Sequence, residues 1–245
     1  MNKIAKMLIV AVLLFTSSQM FAQTDFYLNL GGSFPVGDFA DGDENSFALV
    51  NKSTEGGAGI GFTAGMKLKF NTKVKGLGVI LTLDGIYNGL NSDIKEMLGE
   101  SYDDHYDSDD ITLRTSKYIN VPLMVGANYT YNISEKIGIY GEAGLGANFR
   151  YITNLSFEIE DYGDEYTETI KYDPAFSFAF QVGAGIEINE RIAIGVNYCN
   201  LGNGKVAGKV KYEETYGGSH YSDSESFKCK SVAPSMIMLR VGFKF

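Results

Sequence analysis

A strict period of two runs through most of the chain beyond residue 25, and it constrains the fold more than any motif does. Strands place successive side chains on opposite faces, so each stretch can be tested for a clean split. Over residues 58–70, Ala58, Ile60, Phe62, Ala64, Met66, Leu68 and Phe70 share one face; Gly59, Gly61, Thr63, Gly65, Lys67 and Lys69 share the other. The same split recurs over 77–88, 118–129, 137–150, 176–188, 192–199 and 236–245, with Ile80 and Ile86 blurring one polar face. A shorter opening strand, Phe26 to Ser33, brings the count to eight. Short connections (71–76, 131–136, 189–191) alternate with long polar ones (34–57, 90–115, 153–174, 202–231). Such alternation is the pattern of an up-and-down membrane barrel, with tight turns on one side and long loops on the other.

Charge decides which face meets lipid. No charged residue interrupts the apolar face of the seven longer strands. A lipid-facing Lys or Arg would cost ~2–4 kcal/mol at mid-membrane. The opposite face carries Lys67, Lys69, Asp84, Glu142, Arg150, Glu187, Arg240 and Lys244. Aromatics gather at the strand ends: Tyr87, Phe149, Tyr151, Phe176 and Tyr198 towards the long loops, Phe70, Tyr129, Phe243 and Phe245 towards the short turns. These are the two interfacial girdles. The expectation is an all-β, eight-stranded antiparallel up-and-down transmembrane β-barrel with the eight charges in its lumen. The alternative is a soluble exported barrel that turns the apolar set inward around a ligand. Eight strands enclose a space that side chains fill. The charges are therefore expected in paired layers closing the interior, because a buried carboxylate without a partner is costly. A proton or ion path along the same groups is the functional alternative.

The first 23 residues, MNKIAKMLIVAVLLFTSSQMFAQ, read as an address. Lys3 and Lys6 precede an apolar stretch from Met7 to Phe15, and a small-residue run leads to a cut after Ala22. A secretory signal peptide has this form, against the alternative of a buried N-terminal helix. The reading is thus residues 1–22 as a removed signal and 23–245 as one barrel domain, with both termini periplasmic. Two Cys and two His support neither a disulfide scaffold nor a zinc site, and a net charge of -9 argues against a nucleic-acid binder.

Several strands resemble a known family. Tyr118-Ile-Asn-Val-Pro-Leu-Met-Val-Gly126, with Pro122 inside a strand, is similar to the Y-x-x-[IV]-P-L strand of PorT-like outer-membrane β-barrel proteins of Gram-negative bacteria. Tyr140-Gly-Glu-Ala-Gly-Leu-Gly146, Val182-Gly-Ala-Gly-Ile186 and Asn197-Tyr-Cys-Asn-Leu-Gly202 are similar in style. The resemblance implies an outer-membrane barrel, one branch of which serves protein secretion, and it carries over no catalytic residue.

The long connections are acidic and rich in tyrosine. Glu100 to Asp110 holds Asp103, Asp104, Asp107, Asp109 and Asp110, which could gather Ca²⁺ through oxygen ligands. Their spacing is not that of an EF-hand loop, and a solvated acidic face is the competing reading. Glu158, Glu160, Asp161, Asp164, Glu165 and Glu168, then Glu213, Glu214, Asp223 and Glu225, continue the bias. Tyrosines interleave with these acids (Tyr102, Tyr106, Tyr162, Tyr166, Tyr212, Tyr216, Tyr221), which suits a rim for a basic protein partner or cations. His105 and His220 have Ser and carboxylates nearby in sequence, but a triad is defined by geometry. Cys199 and Cys229 are expected as free thiols, because hairpin register sets Cys199 opposite about Met238. The expectation is a non-enzymatic, cofactor-free, monomeric scaffold. Its partners are outer-membrane lipid, the barrel-assembly machinery through the C-terminal strand, and a protein or cation at the loops. A narrow channel or secretion accessory is the competing function.

Overall fold

The computed structural model describes residues 24–41, 56–92, 94, 96, 111–161, 164–230 and 232–245. The signal segment 1–22, His105 and the acidic run Asp103, Asp104, Asp107, Asp109 and Asp110 lie outside these residues. Thirteen strands are present among them: β1 (Thr24–Pro35), β2 (Ala58–Asn71), β3 (Leu77–Leu90), β4 (Ile111–Arg114), β5 (Tyr118–Asn132), β6 (Ile137–Ile152) and β7 (Leu155–Asp161), followed by β8 (Asp164–Tyr172), β9 (Ala175–Ile188), β10 (Ile192–Asn200), β11 (Lys205–Tyr216), β12 (Ser219–Lys230) and β13 (Ser235–Lys244).

Eight of them close a barrel in the order β1-β13-β10-β9-β6-β5-β3-β2. Every pairing is antiparallel, and β1 seals the wall by registering Tyr27 with Lys244 and Pro35 with Met236. These are the eight strands that the alternation marks out, lengthened by a few residues at their ends. The turn between β9 and β10 shows why the short connections work. Asn189 and Glu190 both adopt left-handed φ (51° and 55°), and the Arg191 amide donates to the Ile188 carbonyl at 3.0 Å. A two-residue turn of this hand matches the twist of the strands it joins. Pro122 has a visible consequence. The β3–β5 ladder runs as far as Leu83↔Leu123 and resumes at Ile86↔Asn120, skipping the stretch where proline has no N–H to donate.

The apolar set faces out, as a lipid-facing band must. Leu30, Phe62, Leu145 and Phe178 are all more than half exposed, whereas Lys67, Asp84, Glu142 and Arg240 on the opposite face are buried. The soluble alternative requires this alternating apolar set to turn inward around a ligand, and it faces outward instead.

The long connections depart from the sequence reading, which treats them as loops. Five strands form a second sheet in the order β12-β11-β8-β7-β4. That order repeats β13-β10-β9-β6-β5 of the barrel, so each upper strand extends a barrel strand beyond a short break. The sheet is a wall rising from five of the eight barrel strands. Its inner face buries Leu155, Ile170, Val206 and Val210 in one cluster with the upper lumen residues Met124, Met236, Met238 and Ile86. The wall therefore folds because its period-two apolar face continues the interior of the barrel. The long β1–β2 connection begins with a short 3-10 turn (Gly37–Phe39) that sets Phe39 edge-on to Tyr118, ring centres 5.2 Å apart.

Candidate functional site

The polar interior is built from small residues and long ones. Gly185 and Gly195 show the principle: a Cβ at either would collide with the Tyr140 hydroxyl, so the ring lies where only hydrogen side chains leave room. Around Tyr140, five strands contribute one polar side chain each. Lys67 comes from β2, Asp84 from β3, Glu142 from β6, Asn197 from β10 and Arg240 from β13.

Glu142 is the hub. Its carboxylate accepts from Lys67 Nζ at 3.1 Å and from Asn197 Nδ2 at 2.8 Å, and Arg240 Nη2 lies 3.5 Å away. Arg240 also donates from Nη1 to Asp84 Oδ2 at 3.1 Å and from Nε to Asn197 Oδ1 at 3.2 Å. Lys67 Nζ stands 4.9 Å from the ring centre of Tyr27 and 5.1 Å from that of Tyr140, within range of the ring quadrupoles. Two cations and two carboxylates thus neutralise one another, and Asn197 is turned so that its amide serves one of each sign. The space left among them is about 10 Å³, lined by Lys67, Tyr140, Glu142, Asn197 and Arg240 among others. That is about the volume one water needs.

The other charges on the same face are distributed by height. Near the short turns Lys244 pairs with Asp25 at 2.9 Å, Tyr27 donates to Glu187 at 2.8 Å, and Lys69 donates to Thr130 at 3.0 Å. At the opposite end Arg150 is buried and donates to the Val232 carbonyl at 3.3 Å. Of the eight charged residues singled out from the sequence, Lys67, Asp84, Glu142 and Arg240 therefore meet; Lys69, Glu187 and Lys244 form a lower tier, and Arg150 stands apart near the wall. A sequence reading limited to charges passes over Asn197, Tyr140 and Tyr27, and Asp25 lies one residue before the point, Phe26, from which the opening strand is read. Asn197 and Tyr140 sit on the inner parity, and that parity was the available signal. Above the cluster the lumen mixes the nearly inaccessible Met124, Met236, Met238 and Cys199 with buried polar side chains, among them Ser33 bonded to Asn88 and Asn120 bonded to Asn148.

Cys199 registers with Met236, two residues from the expected position and on the same inward face; its thiol is free. Cys229 registers with Val206 in the other sheet. On the wall, His220 Nδ1 is 3.3 Å from Thr215 Oγ1 and its Nε2 is 3.9 Å from Glu213. Ser219 and Asp223 fall on the opposite face of β12 from His220, so strand parity separates the residues that a triad would need together. The Glu213 carboxyl is held below the usual carboxylate range by its hydrogen bond from Lys211. Any stabilisation from that pair is present above the ordinary carboxylate pKa and fades as pH falls. Glu158, Glu160 and Glu165 bring carboxylate oxygens within 4.8 Å of one another on the outer face of the wall.

Solved structures with a similar course are outer-membrane proteins. A major outer membrane protein from Thermus thermophilus is 10% identical, covering 91% of this chain and 99% of its own, with a TM-score of 0.43. Ail, the attachment invasion locus protein of Yersinia pestis, is 16% identical over 92% and 100% of the two chains, with a TM-score of 0.37. OprG from Pseudomonas aeruginosa is 13% identical over 93% and 98%, with a TM-score of 0.40. No curated protein matches. The profile described as outer membrane protein beta-barrel domain matches residues 8–212, most of the chain. With the closed eight-stranded wall and its outward apolar band, this chain belongs to the outer membrane protein beta-barrel domain family.

Proposed function

We propose that the barrel is a side-chain-plugged outer-membrane scaffold that does not conduct ions and presents its upper wall to a partner outside the cell. The observation that carries this reading is the neutral Lys67–Glu142–Arg240–Asp84 cluster, with space for about one water, beneath a lumen filled by buried side chains such as Met124, Gln181 and Met238. A permeating ion would have to separate these pairs in a low-dielectric interior. Both termini and the short turns face the periplasm in this reading, which is the usual orientation of barrels with one long-looped end. The removed signal, the monomeric state, and delivery by the barrel-assembly machinery through the C-terminal strand belong to the same proposal, and no catalytic step or cofactor enters it.

The partner is expected to be a protein with basic residues. Cross-strand register sets Tyr166, Glu214 and Tyr221 in one row across β8, β11 and β12, and Glu168, Tyr212 and Asp223 in the next. Tyr216 and Tyr221 are largely exposed near the hairpin tip. Tyrosine offers contact area at low entropic cost, and the interleaved carboxylates favour cationic partners over anionic ones. A second reading, a PorT-like secretion accessory, draws on the Tyr118–Gly126 strand with its internal Pro122. A periplasmic protein co-purifying with the intact barrel would favour it.

The test is single-channel recording of the mature chain in a planar bilayer, using protein whose folded state is verified by heat-modifiable migration on a cold SDS gel. Silence is expected. Steady cation-selective steps that disappear on Asp84→Asn would overturn the plug.

A further inference from the structure

The wall sorts its charges by height, although the chain as a whole is acidic at -9. On its outward face, nearest the barrel, stand Arg114, Lys171, Lys205, Lys209 and Lys228, all exposed, with Lys211 half-buried beside them. Lys117 lies just below, two residues beyond Ile119 on the same face. Farther out that face turns acidic, with Glu158, Glu160, Glu165 and Glu213. Asp173 is the exposed carboxylate within the basic zone.

Three features separate this belt from an ordinary solvated surface. Lys171 and Lys209 are direct cross-strand partners, and like charges in that position destabilise a sheet unless an anion lies between them. Among the described residues, the belt makes one ion pair with a protein carboxylate, Lys211 with Glu213 at 2.6 Å. The belt is also on the lipid side. The inner face of the wall packs into the lumen core, so these side chains point the way the apolar band points, above the exposed rings of Tyr151 and Phe176. Lys171 is four residues above the start of β9, a rise of about 13 Å, and a lysine stem can lean back toward an interface. With barrel strands tilted by about 40°, the belt stands about 10 Å above the start of β9, a height from which lysine stems that lean back can reach headgroups.

We infer that this belt is a docking surface for the phosphate groups of an anionic outer-leaflet glycolipid, which relieves the Lys171–Lys209 repulsion and anchors the wall upright. The inference rests on the wall being the outer end of the barrel. The intact mature chain is reconstituted into phosphatidylcholine vesicles containing a small fraction of bisphosphorylated lipid A, or of the same lipid dephosphorylated. Lipid in both leaflets makes the result independent of orientation, which protease access to the wall in whole cells tests separately. Barrels are then extracted with their surrounding lipid, and lipid A per protein is compared with the bulk ratio.

Each cation near an anionic surface contributes roughly a fivefold preference. The wild type should therefore enrich the bisphosphorylated lipid, and Lys171→Gln with Lys209→Gln should cut that enrichment by about 25-fold. The dephosphorylated lipid should show none, and inorganic phosphate at the same concentration should compete poorly. Equal enrichment of both lipids, or full enrichment by the double variant, would overturn the inference. Should the double variant lose its folded gel mobility, Lys171→Gln alone and wild type at raised salt carry the same comparison, with enrichment expected to fall in each.

Discussion

Replacing Glu142 by Gln tests the cluster without changing its volume. The variant retains an amide oxygen for Asn197 but removes the negative charge that faces Lys67 at 3.1 Å and Arg240 at 3.5 Å. At an effective dielectric of 20 the two lost attractions come to about 10 kcal/mol. Against this stands the desolvation of the carboxylate, several kcal/mol, which the variant no longer carries. Asp84 remains to balance one of the two cations, so a single positive charge is left uncompensated in a buried site. The net loss is expected at about 3–5 kcal/mol, the usual cost of removing one member of a buried pair. Urea unfolding of the barrel in lipid vesicles reads it, followed by heat-modifiable gel mobility and tyrosine fluorescence, since the chain has no Trp. The midpoint should fall without a change in slope. Combining Glu142→Gln with Lys67→Met should recover most of the loss, because the Arg240–Asp84 pair then stands neutral by itself. If Glu142→Gln costs less than about 1 kcal/mol, and the double variant shows no coupling, the charges are not acting as a buried neutral cluster.

Two further outcomes follow from packing. Gly195→Ala would press a methyl group into the Tyr140 hydroxyl, and should destabilise the barrel by about 1–3 kcal/mol, with part recovered in Gly195→Ala/Tyr140→Phe; an unchanged urea midpoint for Gly195→Ala would show that the ring moves freely. Cys199, fully buried in the lumen above the cluster, should resist a maleimide in the folded state and react after heat unfolding; peptide mapping that finds Cys199 labelled in folded protein would show that the upper lumen admits solutes.

Much of this was legible from alternation alone. The eight barrel strands, their outward band and the inward parity of Lys67, Asp84, Glu142 and Arg240 all follow from a period of two. In lipid, one misplaced charge costs kilocalories, so the sequence must keep the two faces apart. The wall was harder to read. Leu155-Ser156-Phe157-Glu158-Ile159-Glu160 alternates as cleanly as any barrel strand, but its polar face is acidic rather than glycine-rich, and acid content suggests a loop. β12, largely serine and charged residues, has little pattern to find, and its place comes from pairing with β11.

By itself, then, the sequence determined which residues face lipid and which face inward, because that choice is local to each strand and repeats every second residue. Who meets whom inside was decided by the tertiary structure. Lys67 and Glu142 are 75 positions apart and Asp84 and Arg240 are 156 apart, on strands brought together by closure and stagger of the barrel. The same holds for the basic belt: its lysines are scattered among acids along the chain, and only the register of β8 with β11 sets Lys171 beside Lys209. Parity is a property of one strand, whereas a site with two or more strands in it depends on register, which forms only when the wall closes.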